Sequence, residues 1–257
     1  MRLGQLKYEL LRTPLERPLM QIRETLGFFE RRRHPELREL HGEAARIQEA
    51  LRRILTPRSS CIDVGCHYGS MLSCFCRLAP QGHHLAFEAI PAKMRFLERK
   101  FPDVDLREKA LCDRSGKVRF HVNKTQSGFS GLCRHGDGEF DEIEVEGTRL
   151  DDELPRDRRF DFLKIDVEGA ELLVLRGAMK LLHRDHPIIL FECGPSGPAA
   201  FGYTPGELFD FLTSACHYAI FLVGEYLQGK GPVDRTTFTS ALAYPFRAFN
   251  WVGTPMP

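Results

Sequence analysis

Two rhythms of apolar and polar residues run along this chain. From Glu36 to Leu55, Leu37, Leu40, Ala44, Ile47, Leu51 and Leu55 recur at the spacing of one helix face, and Thr56-Pro57 ends the run. Leu19, Ile22, Leu26 and Phe29 repeat that spacing upstream, so residues 1–57 read as an N-terminal helical extension. Beyond it, short apolar runs predict strands at 60–64, 84–88 and 104–108, with helices at 70–78 and 91–100 between them. The alternation breaks at 116–148. There Lys117–Val122 and Glu142–Glu146 alternate strictly, as half-exposed strands do, around a Gly-, Ser- and His-rich loop. It resumes with a strand at 160–166, a helix at 170–182, a strand at 187–192 and a helix at 205–215. Strands near 218–223, 237–243 and 247–252 close the series. Strands interleaved with helices predict an α/β fold: a mostly parallel central sheet, helices on both faces, and a small β excursion. Residues 58–257 form that domain, with the β insertion around 116–148.

Composition narrows the class. The 257 residues are 42% hydrophobic and 28% charged, ordinary for a globular domain. The 36 basic and 35 acidic residues nearly cancel, which gives no bulk attraction to nucleic acid or anionic lipid. No apolar stretch approaches a membrane span. Several of the eight cysteines fall in or beside apolar runs and they lack paired C-x₂-C spacing, so reduced thiols of a cytoplasmic protein are expected rather than a disulfide or zinc scaffold.

The candidate chemistry begins at Cys61-Ile62-Asp63-Val64-Gly65-Cys66-His67-Tyr68-Gly69, where a strand enters a glycine turn and then a helix that Ser70 would cap. Twenty-five residues after Asp63, Glu88 ends the next strand, where a carboxylate can accept ribose hydroxyls. Lys164, Asp166 and Glu168 occupy alternate positions at a later strand end, which sends them toward one rim unless they form an ion-paired junction. Glu192 ends the following strand and would share that rim. His121, Asn123 and Ser127 lie in the excursion and could enter the pocket, and Tyr203 sits in a Gly- and Pro-rich rim turn.

At this point the chain resembles the FkbM family of class I, S-adenosylmethionine-dependent methyltransferases. The resemblance rests on Ile62–Gly69 with Ala86–Pro91, on Ala110-Leu111-Cys112-Asp113-Arg114-Ser115-Gly116-Lys117-Val118, and on Leu150–Leu154 with Leu163–Glu171, Leu175–Ala178 and Pro187–Glu192. It implies a Rossmann-like fold with S-adenosyl-L-methionine held by Asp63, Gly65, His67, Gly69 and Glu88, and Ala110 and Leu111 beside adenine. Asp113 would reach the adenine amine or order the loop. Cys66 and His67 depart from the family's Gly-Ala-Asn-x-Gly form, which leaves His67 open between cofactor contact, substrate contact and helix-start packing.

The resemblance also implies that Asp166, Glu168 and Gly169 border the methyl-transfer pocket. Asp166 is the expected substrate-facing acid, Lys164 and Glu168 support it, and His121 is a further candidate base. Asn123, Ser127, Glu192 and Tyr203 are the expected substrate contacts. Asp166 and Glu192 offer hard oxygens to a divalent metal without defining a complete site, so no metal is assigned. The expected reaction is O-methylation of a small-molecule or sugar-containing metabolite, of the kind met in natural product biosynthesis. A homodimer through the N-terminal helices is a further expectation. Two rivals stand beside this reading. A nicotinamide-dependent oxidoreductase would want the absent Gly-x-Gly-x-x-Gly, and a non-catalytic metabolite-binding or scaffold protein would bind without turnover.

Overall fold

A computed structural model describes residues 34–134 and 138–256. The predicted helix at 17–29, the Arg31–Arg33 cluster and the dimer expected through them lie outside the described residues. Helix α1 (Glu43–Ile54) buries Ile47, Ala50 and Leu51, and a short turn of helix at Arg38–His41 precedes it across Gly42.

The core is built from β1 (Cys61–Val64), α2 (Ser70–Leu78), β2 (His84–Phe87), α3 (Pro91–Lys100) and β3 (Asp105–Arg107). After the excursion come β7 (Phe162–Ile165), α4 (Glu171–Arg176), α5 (Met179–Asp185), β8 (Ile188–Glu192), α6 (Pro205–Asp210) and β9 (Tyr218–Leu222). Helices α7 (Val223–Leu227) and α8 (Arg235–Ala241) lead to β10 (Asn250–Pro255). The seven strands run in the order β3-β2-β1-β7-β8-β10-β9, all parallel except β10. Ile62, Val64, Leu163 and Ile165 pack on one face with α4 and α5; Cys61 and Phe162 pack on the other with α1 and α2. The chain winds outward from β1 to β3, then returns to lay β7 and β8 on the opposite side. That reversal opens a crevice at the carboxyl ends of β1 and β7.

The excursion is a separate three-stranded sheet of β4 (Ala110–Leu111), β5 (Gly116–Asn123) and β6 (Phe140–Thr148), in the order β4-β6-β5. Three sequence expectations change. The segment 237–243 is not a strand: Arg235–Ala241 is helical, the Asp234 carboxylate caps it by accepting from the Thr237 N–H at 2.7 Å, and Phe238 and Ala241 face the core. The β-branched threonines there suggested a strand that the apolar spacing overrides. The helix expected at 170–182 breaks at Gly177, where any Cβ would stand 2.3 Å from the Cys112 carbonyl oxygen. Ser70 leaves the helix start uncapped by a side chain. Thr204, by contrast, caps α6 in a reciprocal box with Glu207. All eight cysteines are free, and no helix among the described residues is long and apolar enough to cross a membrane.

Candidate functional site

The crevice is set by two turns that touch backbone to backbone. Gly65, after β1, adopts φ +75°, and a Cβ there would lie 1.9 Å from the Asp166 carbonyl oxygen after β7. Only glycine permits this approach. The Asp166 N–H donates to the Val64 carbonyl at 3.1 Å, and the Gly65 N–H to the Phe87 carbonyl at 3.1 Å, so both turns are tied to neighbouring strand ends. Gly69 has a different task. Its φ of +74° admits the chain to α2, and a Cβ would meet the Phe101 ring at 2.4 Å, so it serves packing behind the cleft.

Glu88 closes one side. Its Oε2 accepts the His67 backbone N–H at 2.9 Å and its Oε1 accepts the Ile90 N–H at 2.9 Å. Burial raises its pKa, and Lys93 nearby counters part of that rise. Each oxygen keeps a second lone pair for another donor. His67, itself at φ +53°, sets its Nε2 3.0 Å from the Ser127 hydroxyl. Burial, then the Lys93 ammonium, hold its pKa down to about 3, so the imidazole is neutral. Lys93 donates to the Ser127 carbonyl at 3.0 Å, which fastens the loop after β5 over the cleft from a second direction. Lys93 reads in sequence as an exposed helix position; its place in the first turn after Glu88 and Pro91 was the only signal. An apolar wall of Ala89, Ile90, Ala110 and Phe120 continues from Glu88. Ala89, Ala110 and Phe120, with Leu111 and Leu132, line a cleft of about 260 Å³, and Ile90 packs with them.

The other end is acidic. Lys164 faces Asp63 across the β1–β7 ladder, with Nζ 3.5 Å from Asp63 Oδ1, 3.0 Å from Asp166 Oδ2 and 3.3 Å from the Gly65 carbonyl. Burial opposes its charge, but the two carboxylates outweigh burial and raise its pKa. Asp63 is fully buried beneath the turn, and burial lifts its pKa. Asp166 keeps 34% of its side chain open to the cleft. Burial works against its charge, but Lys164 prevails and lowers its pKa. Glu192 is pushed well above the carboxylate range by burial and then by Asp166, with which it shares a hydrogen bond. The shared hydrogen bond thus favours the proton on the Glu192 side, and the Lys164 ammonium favours the carboxylate form of Asp166. Oxygens of Asp166, Glu168 and Glu192 lie within 4.8 Å of one another, a set of hard ligands with Lys164 already on one side.

Beneath this rim, Glu171 Oε1 accepts the Val167 N–H at 3.2 Å and the Gly169 N–H at 3.1 Å. Sequence reading passed over Glu171, although its place three residues after Glu168 was visible. Burial raises its pKa to about 7. The Tyr203 hydroxyl donates to the Gly169 carbonyl at 2.6 Å.

Of the residues singled out in sequence, Gly65, His67, Glu88, Ala110, Leu111, Lys164, Asp166 and Glu168 line the cleft. Ser127 reaches it through His67, and Glu192 through Asp166. The others stand apart. His121 lies beside Arg134 (3.3 Å) and Glu142 (3.9 Å). Asn123 is buried, its Oδ1 accepting the Thr125 and Gln126 N–H groups. Tyr203 is buried behind the Glu168 turn, and Asp113 lines a neighbouring groove.

The chain matches the model of the "Methyltransferase FkbM domain" over residues 63–220, more than half its length. A search of curated proteins finds no match. Among solved structures, it is similar to the methyltransferase FkbM from Methylobacillus flagellatus, at 13% identity over 78% of this chain and 44% of that one, TM-score 0.49. It is also similar to a TehB-like SAM-dependent methyltransferase from Corynebacterium glutamicum, at 11% identity over 80% and 84% of the two chains, TM-score 0.43. A protein from Streptococcus mutans solved in complex with SAH shares 11% identity over 83% and 98%, TM-score 0.48. With the family model matched from Asp63 through the Asp166 turn and beyond Glu192, the chain belongs to the FkbM methyltransferase family, whose members use S-adenosyl-L-methionine.

Proposed function

We propose that the chain methylates a hydroxyl oxygen of a small-molecule or sugar-containing acceptor. The observation that carries this reading is the part-exposed Asp166, held 3.0 Å from the Lys164 ammonium at the open acidic end of the cleft, opposite the apolar wall and Glu88.

The residues present fit the cofactor. Gly65 lets the turns after β1 and β7 meet backbone to backbone at the cleft wall, and Glu88 offers buried lone pairs at the end of β2. Ala89, Ala110, Leu111 and Phe120 supply an apolar wall for a planar base. Glu88 would hold the ribose, and the Gly65–His67 turn would hold the methionine part. When bound, S-adenosylmethionine supplies an electrophilic methyl on a sulfonium centre. A neutral His67 adds no positive charge beside such a cation.

Asp166 then orients the acceptor hydroxyl and takes its proton as the oxygen gains the methyl. Lys164 favours the carboxylate form of Asp166 before that step, and the hydrogen bond with Glu192 fixes its direction. Glu168 completes the polar rim.

The test is transfer of isotope-labelled methyl from S-adenosylmethionine to a metabolite panel, read by mass spectrometry. Label on oxygen is expected. Asp166→Asn should lower turnover by about a hundredfold or more with SAH affinity kept, whereas Glu88→Ala should weaken SAH binding. Label found on nitrogen, or full turnover by Asp166→Asn, contradicts the proposal.

A further inference from the structure

A second cavity of about 500 Å³ lies beside the cofactor cleft, with Leu132 lining both. Its floor is apolar, from Val118, Leu173 and Phe201, and its rim carries Arg114, Lys117 and Arg119 against the single acid Asp113. Lys117 pairs with Glu144, and Arg119 stands 3.9 Å from Glu142. Among the described residues Arg114 has no ion-pair partner.

The backbone adds donors to these cations. β5 is the edge strand of its sheet, and the His121 N–H and carbonyl both bond Gly131, on the side away from β6. In an antiparallel ladder, residues two and four positions away point their backbone the same way. The N–H groups of Lys117 and Arg119, together with their carbonyls, therefore face the edge along which the groove runs. Arg114 without an ion-pair partner among the described residues, the paired Lys117 and Arg119 beside it, and two outward N–H groups above an apolar floor make a surface that can take an anion on an apolar chain.

We propose that this groove binds the anionic end of the methyl acceptor, a phosphate or carboxylate carried on an apolar segment, while the hydroxyl end reaches Asp166 past Leu132. This rests on the reading of the neighbouring cleft as the methyl-transfer site.

The test uses n-octyl phosphate, octanoate and neutral n-octyl glucoside as probes, titrated by calorimetry into full-length protein saturated with SAH. One of the two anionic amphiphiles should bind, which identifies the headgroup, and the glucoside should not. Arg114→Glu with Arg119→Glu should weaken that binding at least about tenfold and leave SAH affinity unchanged. The bound anion should also slow alkylation of the half-buried Cys133 by N-ethylmaleimide, with half-buried Cys76 on α2 as the unprotected reference. Equal binding by the charge-reversed variant, equal binding of the glucoside, or no binding of either anion overturns the proposal. Loss of SAH binding by the wild-type protein would instead refute the cofactor reading, and the probe titration without SAH still decides the groove.

Discussion

The paired turns after β1 and β7 and the β4–β6 excursion both carry dense charge, yet they hold it in opposite ways. In the turns, Lys164 is buried between Asp63 and Asp166, and Glu171 grips two amides from beneath. In the excursion, Lys117–Glu144, Arg119–Glu142 and Lys124–Asp141 lie across the outer face of the hairpin, open to solvent. Buried charges are costly unless every partner is in place, so the turn region tolerates one arrangement. Exposed pairs are screened and easily re-formed, so the excursion tolerates more than one arrangement.

Glycine substitutions give the sharpest contrast. Gly65→Ala forces a Cβ against the Asp166 carbonyl at positive φ, and a loss of about 3 kcal/mol or more is expected, with SAH binding abolished. Urea unfolding and calorimetry would measure both; a folded variant that still binds SAH breaks the contrast.

An intermediate effect is expected at Glu171. Its folded pKa of about 7 lies above its ordinary value, so the stability tied to its protonated form is complete below about pH 4.5 and is lost as pH rises through 7. Glu171→Gln keeps an oxygen for the Val167 and Gly169 amides but cannot ionise. The variant should gain on the wild type by up to about 3 kcal/mol between those pH values. Parallel stability curves across that range would show that Glu171 does not titrate on its own. The smallest effect belongs to the excursion's loop. Around Gly128 a Cβ meets nothing within 4 Å, and Gly128→Ala should change stability by no more than about 0.5 kcal/mol, measured by the same unfolding experiment.

The same contrast explains what was legible in the sequence. Gly65, Glu88 and Asp166 could be placed because each sits where a strand ends, and strand ends are marked by apolar runs giving way to Gly or acid. Tyr203 lies in an irregular segment, and His121 and Asn123 sit at the end of β5, where the strand gives way to loop. There, local hydrogen bonding decides where a side chain points, and spacing says nothing of it. Asn123 turns inward to brace its own loop, and Tyr203 turns under the Glu168 turn. Lys93 was hidden for the opposite reason: a lysine on a helix normally reaches solvent, and only the fold of the loop above it makes the ammonium a clasp.

Glu43 on α1 accepts from the Phe249 N–H, the Asn250 N–H and the Asn250 side-chain amide. Asn250 is the register partner of Glu192 in the neighbouring strand. A residue remote from any reacting atom is therefore a single rung from the carboxyl that hydrogen-bonds Asp166. The first long helix is thus a tensioning post for the acidic corner, and slackening it would be felt in acceptor alignment before it was felt in cofactor grip.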